Sequence, residues 1–416
     1  MDHPSTDRRR IAAQRTGADV TGTGRTDRLK RVARKVGRRL RAGPLGDAAA
    51  RARAGLARGV ETRTLLLVSD RSVYTSEQQF APVQRFAGRI AGRYGLVATF
   101  CTPDEARAMS TEALQRHAAV GLKLDFRTPA EEASAIARET LGRVRGTATK
   151  ALVFDGDDDL SVLWPEVLGQ CDLYIKKHAY ADLSEYTRER AGKSNLTDYV
   201  ATEFGTSFAD NIIPRSGGID ATEAAKVVVG WNIALDDKIY DLSRDLTPPD
   251  AAAKDIDLSC RASVAPDVWT YPMRNAAVEA LRGLEGRWRV HAPVDRVPQD
   301  EYYREMMRSR MSVSPYGFGE LCWRDFECIL CGAVLVKPDM RHLRTAPDLF
   351  VPGETYVPVA WDFSDLEAAC RPYLEDEARR ARMAERARTV LLEALGPDWF
   401  LDRFGEVMRR AGVLAT

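Results

Sequence analysis

The stretch from Ser314 to Asp339, SPYGFGELCWRDFECILCGAVLVKPD, has residue types and spacing that can do chemistry. An extended run leads into Gly317-Phe318-Gly319, a helical pattern follows, and Gly332 stops it before the apolar run Ala333–Val336. Glycines let a backbone approach a ligand closely. A helix starting near Glu320 would turn its free N–H groups into the loop, and such an end attracts phosphate. Glu320, Arg324 and Glu327 are spaced i, i+4, i+7 and so share one face of that helix, leaving Leu321, Phe326, Ile329 and Leu330 to pack on a sheet. The charged face has two readings. It is a solvated stripe with an ion pair worth ~0.3–0.5 kcal/mol, or it sets a carboxylate beside the glycine loop to accept both hydroxyls of a ribose.

Two more clusters sit where strands end. Asp155, Asp157, Asp158 and Asp159 follow the run Ala151–Phe154. They could bind a divalent cation or cap a helix over 160–168, and Asp155 or Asp157 could act as a base or orient an acceptor. Lys176, Lys177 and His178 end the next strand and could hold an anionic acceptor, with His178 as an acid or base. His342, in a loop after a later strand, is read the same way. Cys322, Cys328 and Cys331 include a Cys-x-x-Cys without a second pair. They read as small packing residues rather than zinc ligands, and no metal is expected.

These clusters need strands to place them. Leu65–Val68, Leu96–Phe100, 121–126, 151–155 and 171–175 are short apolar runs separated by helical patterns, as a parallel sheet covered on both faces requires. A long amphipathic stretch through Val227, Trp231, Leu235 and Ile239 precedes a break at Leu246-Thr247-Pro248-Pro249-Asp250. The alternation then restarts, with strands at 257–260, 288–291, 311–314, 333–336 and 356–361, and helices from 364 close the chain. Two such halves with a ligand cleft between them form the simplest architecture.

Composition sets bounds. The chain has 416 residues, 29% charged and 44% hydrophobic, which fits a globular protein of two or three domains. No apolar stretch approaches ~18 residues, so no membrane-spanning helix is expected. The net charge of +1 hides a split: residues 1–63 carry 17 Lys/Arg against 6 Asp/Glu, leaving 44 against 54 elsewhere. Leu29, Val32, Val36 and Leu40 line one side of a basic helical pattern, and 28–58 fits an anionic membrane surface, phosphates, or simply a solvated tail. Nucleic acid is not expected as a partner. Seven irregularly spaced cysteines and no signal-like apolar segment point to a cytoplasmic setting, with the inner membrane face as a peripheral contact. No P-loop and no Gly-x-Ser-x-Gly elbow occurs, so kinase and hydrolase readings lack support.

The 314–339 segment resembles the donor-binding half of a GT-B glycosyltransferase, of the bacterial glycosyltransferase family 1 group with an exostosin-like signature. The likeness extends through His342, Pro352–Pro358 and Trp361-Asp362. In the first half it includes Phe154–Asp159, Lys176-Lys177-His178 and Lys193–Tyr199, covering about 63–395 in all. In the retaining GT-B pattern two glutamates are separated by seven residues and the second binds the donor ribose. Glu327 matches that second position. The first falls on Gly319, with Glu320 one place later. The resemblance also implies a diphosphate clamp, for which Arg261 and Arg274 are candidates.

The resemblance therefore implies an α/β fold of GT-B type: a basic extension (1–62), an acceptor-side Rossmann-like domain (63–246), a nucleotide-sugar-binding Rossmann-like domain (247–395) and a C-terminal helix packing back (396–416). Its activity would be transfer of a sugar from a nucleotide donor to a glycan, lipid-linked or natural-product acceptor, with no cofactor. Glu320, His178 and Asp157 would be catalytic. Glu327, Gly317, Phe318, Gly319, Arg324, Arg261 and Arg274 would bind the donor, and Asp155, Lys176 and Lys177 would face the acceptor. A sugar-nucleotide epimerase of the same architecture and a non-catalytic sugar- or polyanion-binding protein are the alternatives.

Overall fold

A computed structural model describes residues 62–71, 73–207 and 218–415, so the basic segment 28–58 lies outside the described residues. The first half is built on β1 (Arg63–Ser69), β2 (Leu96–Cys101), β3 (Ala119–Lys123), β4 (Lys150–Asp155), β5 (Leu173–Lys176) and β7 (Val227–Val229). They form one parallel sheet in the order β2-β1-β3-β4-β5-β7. Leu65 through Ser69 are all buried, as expected of a strand with helices on both faces.

The second half repeats the plan with β8 (Ile256–Ser259), β9 (Val290–His291), β10 (Ser309–Val313), β11 (Val334–Pro338) and β13 (Tyr356–Val359). Their order is β13-β11-β10-β8-β9, again all parallel. Leu258, Val313, Val336 and Val357 centre its core. In both sheets the strand order reverses beside the first strand, so the loops at the carboxyl ends form a crevice there.

Two three-residue strands join the halves. β6 (His178–Tyr180) pairs antiparallel with β12 (Leu343–Thr345), matching His178 to Thr345 and Tyr180 to Leu343. The Pro397–Arg410 helix packs on the first half. Its Phe400 ring lies 5.2 Å from Trp231, and Arg403 donates to the Gly230 carbonyl at 2.9 Å.

Several elements differ from the sequence reading. The stretch from Val227 is not one amphipathic helix. Three adjacent valines add an edge strand, Gly230 lets the chain pass close to Ile175, and a helix forms only at Asp237–Asp245. No helix covers 160–168, since only Pro165–Leu168 is helical, and the aspartates before it shape a loop. The helix expected from Glu320 begins at Trp323, because Asp325 caps it by accepting from Cys322 N–H at 3.0 Å. Glu320 therefore does not share a helix face with Arg324 and Glu327.

Candidate active site

The β6–β12 pairing decides the centre of the cleft. It places His178 from the first half and His342, the residue before β12, on either side of Glu320. His178 Nε2 lies 3.3 Å from Glu320 Oε2, and His342 Nε2 lies 3.6 Å from Oε1. Burial would raise the Glu320 carboxyl, but the His178 hydrogen bond and the neighbouring His342 hold it below the usual carboxylate range. Burial pushes the His178 imidazole down, offset only in part by Glu320. The His178 ring therefore serves Glu320 as an N–H donor, while His342 Nε2 faces Oε1 at 3.6 Å without a hydrogen bond. His342 also packs edge-on to Trp361 at 5.1 Å and to Tyr316 at 6.3 Å.

The glycine loop lies directly above. A Cβ at Gly319 would sit 1.4 Å from the Asp158 carbonyl oxygen, so glycine alone lets this loop touch the aspartate loop of the first half. Gly317 leaves room for Arg274, whose Nη2 would be 3.0 Å from a Cβ there. Phe318 is exposed and meets Trp269 edge-on. Arg274 donates to the backbone of Ser263 and Tyr316, and Arg324 to the carbonyl of Arg261 at 2.9 Å. Among the described residues neither guanidinium has a carboxylate within ion-pair distance, and Arg324 Nε and Trp323 Nε1 are buried without partners. Burial and the neighbouring Arg324 both depress Arg274. Two neighbouring cations without an ion-paired carboxylate, one of them against Gly317, suit an anion.

Two donor-side expectations fall elsewhere. Arg261 is held by Glu305 at 2.6 Å and by Asp295, so its charge is already matched. The helix end assigned to phosphate is occupied by Asp325, which is fully buried and paired with Lys337 at 3.0 Å. The positive charge at the loop comes from Arg274, with Arg324 beside it.

Glu327 lies on the inner face of the Trp323–Leu330 helix and is nearly buried. It accepts from Tyr302 at 3.2 Å and Tyr303 at 3.0 Å, and pairs with Lys238 at 2.6 Å. Lys238 also lies 4.1 Å over the Trp323 ring.

On the opposite wall the candidate residues separate by environment. Asp155 is enclosed, 2.7 Å from Lys176 Nζ and 2.9 Å from Tyr174 Oη. Burial opposes its ionisation, yet Lys176 and Lys123 hold it at about 2. Lys176 is thus spent on Asp155 and does not reach an acceptor. Lys177 pairs with Asp158 at 3.0 Å, and Asp159 is held by Lys193 and Ser161. Asp157 differs. Both its carboxylate oxygens are buried without a hydrogen-bond partner, and the nearest cation, Lys123, is 3.6 Å away. Burial and the neighbouring Asp155 and Asp158 outweigh Lys123 and push it up to about 6.

Lys123, Lys238, Tyr302 and Tyr303 escaped the sequence reading. The adjacent tyrosines one helix before the glycine loop were the only visible signal. Lys123 and Lys238 matter through where the chain returns, which no local pattern records. Among the described residues no group of three or more His, Cys, Asp or Glu side chains is arranged to hold a metal, and no helix is long and apolar enough to cross a membrane.

Two facing Rossmann-like domains with their strand ends lining one cleft define the GT-B class, and the C-terminal half is similar to a family described as glycosyl transferase-like. Residues 272–401 match the family model of that description. Among solved structures, an α-glucosyltransferase in complex with UDP is 9% identical, with 84% of this chain and 100% of that one covered at a TM-score of 0.47. A glycosyltransferase from Rickettsia africae is 11% identical over 85% and 99% of the two chains at a TM-score of 0.47. Sucrose-phosphate synthase from Thermosynechococcus elongatus is 11% identical over 84% and 98% at a TM-score of 0.42. No curated protein matches the chain.

Proposed function

We propose that the protein is a glycosyltransferase that moves a sugar from a nucleotide donor held by the C-terminal half to an acceptor held by the first half. One observation carries this reading. Arg274 lies against Gly317 and beside Arg324, and neither has a carboxylate within ion-pair distance among the described residues, inside the region that matches the glycosyl transferase-like model.

Breaking the bond between sugar and diphosphate leaves negative charge on the departing oxygens. Guanidiniums already in place stabilise that charge without reorganising. Glu327 takes the donor ribose. Tyr302, Tyr303 and Lys238 fix its carboxylate, and a ribose diol replaces the donors the tyrosines supply. Asp157 takes the acceptor proton. Its burial-raised carboxyl suits a base working near neutral pH, and its oxygens lack competing donors. Glu320 and His178 fix the floor of the site. The acceptor is a glycan, a lipid-linked carrier or a small natural product. The basic segment 28–58 would bring the enzyme to an anionic membrane where a lipid-linked acceptor resides.

A thermal-shift screen against nucleoside diphosphates and their sugars tests the reading. A ligand at a hundred times its Kd stabilises by about 2.7 kcal/mol, which raises the melting temperature by several degrees. A screen in which no nucleotide shifts the transition overturns the proposal.

A further inference from the structure

The three side chains at the cleft floor differ in access. Glu320 and His178 are both 0% exposed, whereas the His342 side chain is 23% exposed. A ligand in the cleft reaches His342 before the other two. The His342 Nε2 atom is itself buried and faces Glu320, so the exposed part of the ring is its other edge, which carries Nδ1. The ring also touches Tyr316, the residue that opens the glycine loop, and Glu320 closes that loop. His342 thus stands on the diphosphate side of the cleft, while Asp157 lies on the opposite wall. Its backbone is pinned as well, because the His342 carbonyl accepts from Ala181 N–H at 2.9 Å beside the β6–β12 pairing.

We propose that His342 is the catalytic acid for the departing diphosphate, and that Glu320 is a positioning residue holding its ring from behind. This rests on the glycosyltransferase reading above. The bond from the anomeric carbon to the diphosphate oxygen breaks with its electron pair on oxygen. Nδ1–H of His342 gives its proton to that oxygen. The acceptor oxygen bonds to the anomeric carbon and loses its proton to Asp157. One proton leaves the acceptor and one joins the diphosphate, and solvent resets both residues after release. Glu320 faces Nε2 with a carboxylate, the arrangement in which a buried acid orients a histidine.

The test uses the full chain. His342→Ala should lower kcat about 100-fold, the scale of general acid–base catalysis. KM for the nucleotide sugar should stay within about threefold of the wild type, and added imidazole should restore at least a tenth of the lost rate. A variant within about threefold of wild-type kcat, or a loss that imidazole leaves untouched, overturns the assignment. NMR spectra of the His342 ring nitrogens in wild type and Glu320→Gln provide a readout independent of turnover. Losing the carboxylate that faces Nε2 should change the Nε2 signal, and identical ring spectra remove Glu320 from its role. If the wild type binds no nucleotide at all, the glycosyltransferase reading fails, and the ring spectra still decide whether Glu320 acts on His342.

Discussion

His178 and Glu320 meet at 3.3 Å across the boundary between the two halves, and neither side chain is exposed to solvent. Their contact is a consequence of β6 pairing with β12, two strands of three residues each. It links the halves as well as shaping the site. A double-mutant cycle of His178→Ala and Glu320→Ala should therefore show coupling of about 0.5–3 kcal/mol in denaturant unfolding. Simple additivity of the two losses would mean that the contact contributes nothing.

Asp157 should work against stability at neutral pH. Its folded value of about 6 lies above the unfolded value of about 3.9. The proton it holds in the folded state stabilises fully below the unfolded value, and that contribution is lost as pH rises through about 6. Asp157→Asn keeps the shape and removes the charge. The variant should match the wild type below about pH 4 and exceed it by about 1–3 kcal/mol above pH 7, while losing transfer activity. Equal unfolding midpoints at pH 4 and pH 8 would show that Asp157 is not desolvated.

Asp155 behaves in the opposite way. Held at about 2 by Lys176 and Lys123, it contributes stability that is present above its unfolded value and disappears as pH falls through about 2. Lys176→Met would leave a buried carboxylate with a weaker counter-charge and should cost about 3–5 kcal/mol. The midpoint of chemical unfolding at pH 7 checks this, and a loss below about 1 kcal/mol would contradict the enclosed pair.

Much of the fold could be read from the sequence, because apolar runs such as Leu65–Val68 and Ala333–Val336 have one stable role as buried parallel strands. The site was readable where a local pattern exists. The spacing of the glycine loop, Arg324 and Glu327 marked one region, and the Asp155–Asp159 and Lys176–His178 clusters marked strand ends that line the cleft. What stayed hidden depends on contacts distant in sequence. Whether Arg261 is a free cation is decided by Glu305, 44 residues away. The helix starts at Trp323 because Asp325 caps it at Cys322 N–H, held there by its buried partner Lys337. Nothing in the tripeptides His178–Tyr180 and Leu343–Thr345 announces that they pair.

Arg274 and Arg324 make a quantitative claim about the donor. A hydrogen bond to a charged group is worth about 1.5–3 kcal/mol, so Arg274→Met and Arg324→Met should each weaken nucleoside diphosphate binding roughly 10- to 100-fold. Binding of a nucleoside without phosphates should hardly change. Calorimetric titration of both ligands separates the two cases, and equal losses for nucleoside and diphosphate would place the arginines away from the phosphates.

Gly319→Ala should be costly through backbone geometry alone. A Cβ there would overlap the Asp158 carbonyl, and backbone cannot step aside as a flexible side chain can. The two loops must separate, and Glu320 moves with them. Activity should fall by at least an order of magnitude with little change in secondary structure by circular dichroism. Full activity would mean that the loops part easily and that their contact does not shape the site.

Glu327 gives the sharpest distinction between holding the fold and holding the donor. Its carboxylate is shared by Tyr302, Tyr303 and Lys238, so removing it has a structural consequence as well as a functional one. Glu327→Ala leaves Lys238 with only the Trp323 ring and two phenols without acceptors, and should cost about 1–3 kcal/mol. Glu327→Gln retains one carbonyl acceptor and the side-chain volume, so most of that stability should return. Ribose recognition should not return, because the amide offers one acceptor oxygen and an NH2 donor where the carboxylate offers two acceptor oxygens. The expected pattern is a near-native unfolding midpoint for Glu327→Gln with transfer reduced at least 10-fold. Weakened binding of the ribonucleotide, but not of its 2′-deoxy analogue, should accompany it. A Gln variant with wild-type transfer and ribonucleotide affinity would show that Glu327 serves only the contact between the helix and Lys238.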